Sequence, residues 1–145
     1  MVRRKQLVLI TSLDRTESSK SSSDFTVRLT RPIDNVIRTD LRQVIVGSMQ
    51  EQRVLSPTYV GIQSTQLGTR ISSGGNVAMY DVIPYDAPPF VYERYSTITQ
   101  LDESMYERPI MLYQIDLRFV NPDGSTVDFG GADVALLLEV ITEGL

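Results

Sequence analysis

Between Ile110 and Val120 this sequence alternates so regularly that the segment can fold comfortably only as a strand. Met111, Tyr113, Ile115, Leu117 and Phe119 are separated by Gln114, Asp116 and Arg118 along most of the run. Successive strand side chains point to opposite faces, so the spacing predicts one apolar and one wetter face. Asn121-Pro122-Asp123-Gly124 follows, with residue types that suit a type I turn. After a polar run comes Val134 to Ile141, apolar on both faces apart from Glu139. Its Leu-Leu-Leu could sit in a buried helix, but Gly130-Gly131 and the β-branched Val134, Val140 and Ile141 favour a strand. The stretch from Pro109 to Ile141 is thus expected to be a closing hairpin that the remaining chain packs against.

The other apolar runs have the same character. Lys5 to Ser12, Asp24 to Leu29, Thr58 to Gln63, Val77 to Ile83 and Phe90 to Tyr95 are short, β-rich and bounded by turn or proline signals. Pro32 is expected to end the second of them. Val36 to Met49 is ambiguous: Ile37, Leu41 and Ile45 share a strand face, yet Ile37, Leu41, Val44 and Ile45 also fit helical spacing. Val and Ile density favours a strand whose wet face carries Arg38, Asp40 and Arg42. About eight strands with little helix imply an all-β antiparallel sandwich. Jelly-roll and immunoglobulin-like orders both stay open. A chain of 145 residues fits a single domain, 1–145, with a core drawn from Val8, Ile10, Phe25, Val27, Ile115, Leu117, Phe119, Leu136 and Leu138. Leu13 to Ser23 is serine-rich, has only Leu13 to bury, and is expected to be a mobile polar loop.

Composition narrows the chemistry. With no Cys and no His, there can be no disulfide, no Cys/His zinc site, no imidazole base and no cysteine nucleophile. No enzyme activity and no cofactor are therefore expected. A net charge of −4 argues against holding nucleic acid by phosphate neutralisation. No apolar window is long enough for a membrane span, and Leu7 to Ile10 is too short for a signal-peptide core. Asp123, Asp128 and Asp133 could supply oxygen ligands for calcium, but their spacing matches no known loop, and turn formation is the plainer reading. Tyr80, Tyr85, Phe90, Tyr92, Tyr95 and Tyr106 gather around the Asp86-Ala-Pro-Pro89 stretch, some of them necessarily core, with Tyr85, Phe90, Tyr92, Tyr95 and Tyr106 the interface candidates. Aromatics beside rigid prolines suit a protein interface. Tyr92, Tyr95 and Tyr106 are the candidate exposed anchors.

Several motifs, taken in order, carry a resemblance. They are Ile10-Thr-Ser12-Leu-Asp14-Arg15, then Ser23-Asp24-Phe25-Thr26-Val27-Arg-Leu29 and Pro32-Ile33-Asp-Asn-Val36. Tyr59-Val60-Gly-Ile62, Gln66-Leu67-Gly68, Asp128-Phe129-Gly130 and Leu137-Leu138-Glu139-Val140 follow. Together they resemble minor capsid and other virion structural proteins of large eukaryotic DNA viruses and their virophage or polinton-like relatives. The resemblance implies a non-enzymatic component of a capsid, made in the host cytoplasm and resident in the virion. Its partners would be other virion proteins, the major capsid protein first among them, or further copies of itself. A carbohydrate- or small-ligand-binding sandwich, as in a phage tail, baseplate or receptor-binding module, is the alternative. A small hydrolase using Asp and Glu pairs comes third.

Overall fold

The computed structural model describes residues 2–17, 20–46, 59–84, 93–96 and 106–144, with backbone alone at 84 and 93–96. Nine strands form among the described residues: β1 (Val2–Thr11), β2 (Asp24–Val46), β3 (Tyr59–Gln63), β4 (Ile71–Ser72), β5 (Ala78–Met79), β6 (Asp81–Pro84), β7 (Glu93–Ser96), β8 (Ile110–Val120) and β9 (Ala135–Gly144). All pairings are antiparallel, and no α-helix occurs among the described residues. The large sheet runs β1-β9-β2-β8-β3-β6, with β7 also on β2, and curls into a half-barrel. β4 and β5 make a small second sheet. The all-β antiparallel architecture read from the sequence is the one observed. One core cluster draws on β1, β2, β3, β6, β8 and β9. Every expected core residue is buried there except Val8, which packs on its margin.

β2 departs furthest from expectation. The sequence predicts two strands broken at Pro32; one strand runs from Asp24 to Val46. Proline has no N–H to give a ladder, so it is tolerated where pairing is already interrupted. Pro32 lies in such a place, since the register against β8 shifts between Arg28 and Ile33. A second shift follows at Asn35, which takes a left-handed φ of 56°, a conformation asparagine adopts more readily than most residues. The bends let β2 serve both halves of the sheet: 24–36 pair with β8 and 36–45 with β9. A further shift between Leu41 and Gln43 moves the inward series from Ile37, Thr39 and Leu41 to Val44 and Val46. A one-residue bulge in a period of two gives the spacing that looks helical.

β8 shows the complementary effect. Leu112 and Ile115 both point inward, three positions apart, opposite the irregular part of β2. The sequence predicts Met111 and Tyr113 on the apolar face with Ile115, but they are 55% and 53% exposed. The alternation is real from Ile115 to Phe119 and changes phase before it.

The closing hairpin does not form either. β8 lies between β2 and β3, whereas β9 lies between β1 and β2. The turn itself is made as expected: the Gly124 N–H donates to the Asn121 carbonyl at 2.9 Å, with Gly124 at φ 88°. After one bridge between Val120 and Thr126 the chain departs and must pass β2 to reach β9. Val127, Phe129, Ala132 and Val134 are buried along this crossing. Phe129 meets Phe119 edge-on, 5.4 Å between centroids at 74°. This crossing, most of it read as polar, thus packs four side chains into the core cluster, and apolar burial draws it away from its hairpin partner.

Candidate functional site

Tyr85, Phe90 and Tyr92 lie outside the described residues. Tyr95 falls in β7, its backbone opposite Val44 of β2. Tyr106 is not an exposed anchor. It packs half-buried against the core, and its hydroxyl is used internally. Its O–H donates to the Leu67 carbonyl at 3.0 Å and lies 2.7 Å from the Thr39 hydroxyl, which lies 2.7 Å from the Tyr80 hydroxyl. A carbonyl can only accept, which sets the order of donation: Tyr80 to Thr39, Thr39 to Tyr106, Tyr106 to Leu67. Burial pushes the pKa of both phenols up, against the smaller lowering effects of the Thr39 contact and the Arg70 charge. Both rings therefore stay protonated at neutral pH.

Arg70 completes this cluster. Its guanidinium stands 4.7 Å from the centroid of Tyr80, donates to the Thr39 carbonyl, and reaches Asp40 at 3.3 Å. Arg38 holds the other Asp40 oxygen at 2.8 Å. One strand further out, Arg42 grips Glu139 with two hydrogen bonds of 2.8 and 2.9 Å. The bond from Arg42 holds the Glu139 carboxyl below the usual glutamate range and raises Arg42 in return. The alternation of β2 assigns Arg38, Asp40 and Arg42 to a wet face and leaves Glu139 unexplained. Pairing β2 with β9 makes them neighbours.

The three aspartates near the Asn-Pro-Asp-Gly turn serve separate ends. Asp123 accepts from the Ser125 N–H and hydroxyl at 2.9 and 2.6 Å, and Asp128 from the Gly130 N–H at 2.8 Å. Asp133 accepts from the Ser12 hydroxyl at 2.7 Å and from Arg15 at 3.3 Å. Two of the three are turn formers, and the third latches the start of β9 to the end of β1. No group of three candidate metal ligands occurs among the described residues.

The serine-rich segment is tied at both ends. Ser12–Asp14 form a 3-10 turn, and the Thr16 N–H donates to Thr26 at 2.9 Å. At the far end Ser22 and Ser23 are buried, and Ser23 accepts from the Phe119 N–H at 2.8 Å. Leu13, the only residue of the segment with an apolar side chain to bury, is 73% exposed.

Two surface features remain. A cleft of about 360 Å³ with a mixed lining is bounded by Asp24, Gln63, Thr65, Met79, Asp116, Leu117 and Arg118. Most of its polar groups already have partners: Asp116 accepts from the Thr65 N–H at 2.6 Å, and Arg118 donates to Thr126, Gln63 and Gly124 at 2.9, 3.1 and 3.2 Å. The second feature is β1. It pairs only with β9 among the described residues, ends the sheet, and leaves Leu7 and Leu9 60% and 64% exposed. Arg3, Arg4 and Lys5 are exposed in its first half. Sequence reasoning identifies this segment only as a first strand; its place at an edge depends on strand order. No protein-family model matches the chain, and a search of curated proteins returns no match.

Proposed function

We propose that the protein is a non-enzymatic structural subunit of a viral particle, a minor capsid, vertex or cement component acting through contacts with other virion proteins. The observation that carries this reading is the ordered run of virion-type motifs from Ile10 to Val140. A role through contacts is supported by the exposed edge of β1, while the Tyr80, Thr39 and Tyr106 hydroxyls are spent on one another and Arg42 is paired with Glu139. In this reading Ser12 and Arg15 of the opening motif act structurally, since they hold Asp133 and so fasten β1 to the entry of β9.

The test is to purify intact particles from an infected host and probe them for the chain by mass spectrometry. Recovery in a fixed ratio to the major capsid protein is the expected result. Absence from purified particles would reject the reading. One observation favours a second reading, a carbohydrate- or small-ligand-binding sandwich: the cleft at Asp24, Gln63 and Asp116 is open to solvent. A glycan array separates the two, since specific sugar binding abolished by Asp116→Ala is expected only from the second.

A further inference from the structure

Edge strands carry a row of unpaired backbone groups, and proteins usually blunt them with bulges, proline, short length or inward charges. β1 has ten residues, no proline, and an unbroken register with β9 from Val2 to Thr11. Its first half carries Arg3, Arg4 and Lys5, which discourage pairing with another basic edge. Among the described residues its second half has no such protection. Leu7 and Leu9 stand on the face shared with Lys5 and Arg3, since residues two apart on a strand share a face. The free edge therefore offers a pattern: cation, cation, leucine, leucine along one face.

We propose that the free edge of β1 binds an extended acidic segment of a partner protein by antiparallel strand addition, apolar residues entering first and carboxylates following. The proposal rests on the reading that this protein works through protein contacts, and it names the kind of contact. Charge complementarity selects the occupant. A segment running antiparallel to β1 meets Leu9 and Leu7 first and Lys5 and Arg3 afterwards. On the other side of β1, β9 sets Leu137 against Leu9 and Glu143 against Arg3, while Glu139 faces Leu7 and Ile141 faces Lys5. That neighbour mixes aliphatic and acidic side chains without the order proposed for the free edge. A second copy of β1 fits less well: in antiparallel self-pairing the basic half of each strand lies against the apolar half of the other, and no carboxylate on β1 answers it. Main-chain bonds would supply affinity in this mode, and alternate side chains its specificity.

The test uses the full chain and a synthetic peptide about ten residues long, the length of β1, with Leu at alternate positions in its first half, Glu at alternate positions in its second, and Thr between. Its controls are the same sequence reversed and two versions N-methylated on alternate amides in opposite phase. Fluorescence anisotropy is expected to show saturable binding that weakens with salt. The reversed peptide should bind at least about tenfold more weakly, because it sets carboxylates against the leucines. Only one N-methyl phase should bind, since a ladder uses every second amide of the added strand. The variant Leu7→Lys/Leu9→Lys, its fold checked by circular dichroism, should lose the peptide. Equal binding of forward and reversed peptides, or of both N-methyl phases, overturns the proposal, as does no binding at all. So does a dimer in sedimentation that the lysine variant dissolves, which would assign the edge to a second copy. Particle purification and peptide binding fail separately: the first judges the virion role, the second the β1 edge.

Discussion

Two stretches of sheet edge in this protein are treated in opposite ways. On one side of β2, β8 pairs as far as Val36 and β7 begins at Gln43, which leaves a gap in the ladder. The gap is filled without a strand: the Tyr106 N–H donates to the Ile37 carbonyl at 2.8 Å, and Arg70 donates to that of Thr39. Tyr80, the Thr39 hydroxyl and Asp40 hold these two residues in place. The free edge of β1 receives nothing comparable among the described residues, although it is longer and carries exposed leucines. A gap in the middle of a sheet would bury unpaired carbonyls, so the fold must close it. At the rim, water or a partner can satisfy the same groups.

Breaking the closed gap should give the largest effect. Thr39→Val leaves the fully buried Tyr80 hydroxyl without its acceptor, and should cost about 1–3 kcal/mol in urea unfolding. Tyr80→Phe removes the donor and leaves only an unused lone pair on Thr39, so about 0.5–1.5 kcal/mol is expected. The double variant leaves no orphaned hydroxyl at position 80, and should be more stable than Thr39→Val alone. A double variant less stable than both singles would refute the order of donation and the closure built on it.

The ion pair between β2 and β9 should matter less. Glu139 has a folded pKa below its usual 4.5 because Arg42 hydrogen-bonds to it. The folded state thus resists protonation where the unfolded chain accepts it. The stabilisation is present above pH 4.5 and is lost as pH falls through the lowered folded value. Arg42 is 39% exposed, so solvent screening limits the effect to about 0.2–1 kcal/mol. Glu139→Gln should therefore melt less stably than the native chain at pH 6, with the difference shrinking toward pH 3. A constant difference across that range would mean the pair does not titrate with folding.

Legibility in the sequence depends on whether a feature is local. Alternation places most strands, because a two-residue period is a property of neighbours in sequence. But Val77 to Ile83, read as one strand, divides into β5 and β6 in different sheets, and the two-residue β4 is too short to show a period. The Asn-Pro-Asp-Gly turn is legible for the same reason. Bulges are not: at Asn35 and after Leu41 they shift the phase by one residue, which makes β2 look like two strands and partly like a helix. Strand order is invisible as well, so Glu139 has no visible partner and Asp133 no visible reason. The hairpin misleads because its turn is real while its second strand is drawn elsewhere by Val127 and Phe129. Tyr106 resembles an exposed anchor in sequence because an aromatic beside a weak pattern suits a surface. Its bonds to residues 39 and 67 lie far outside any local window.

The segment that joins the two regions offers a smaller test. Arg15 donates to the Ser12 carbonyl at 2.7 Å and to Asp133, and its backbone bridges to Val27, whereas Lys20 is exposed. Limited trypsin should cut after Lys20 well before Arg15. Asp133→Asn should narrow the difference by loosening the Arg15 side. First cleavage at Arg15 in the native chain would show that the latch does not hold in solution.

The smallest expected change in stability sharpens the comparison most. Replacing Leu7 and Leu9 together by Thr puts β-branched, strand-favouring residues on β1 and removes the exposed apolar surface of the two leucines. Both side chains are more than half exposed in the folded protein, so folding gains little from them. The melting curve should move by no more than the roughly 0.5 kcal/mol typical of surface changes. If the cost instead exceeded that of Tyr80→Phe, the leucines would belong to the packing of the half-barrel, and β1 would be a closed edge like β2. A near-neutral result would mean the leucines serve no need of the isolated fold. Their exposure beside a bare backbone edge would then find its reason in what pairs with β1.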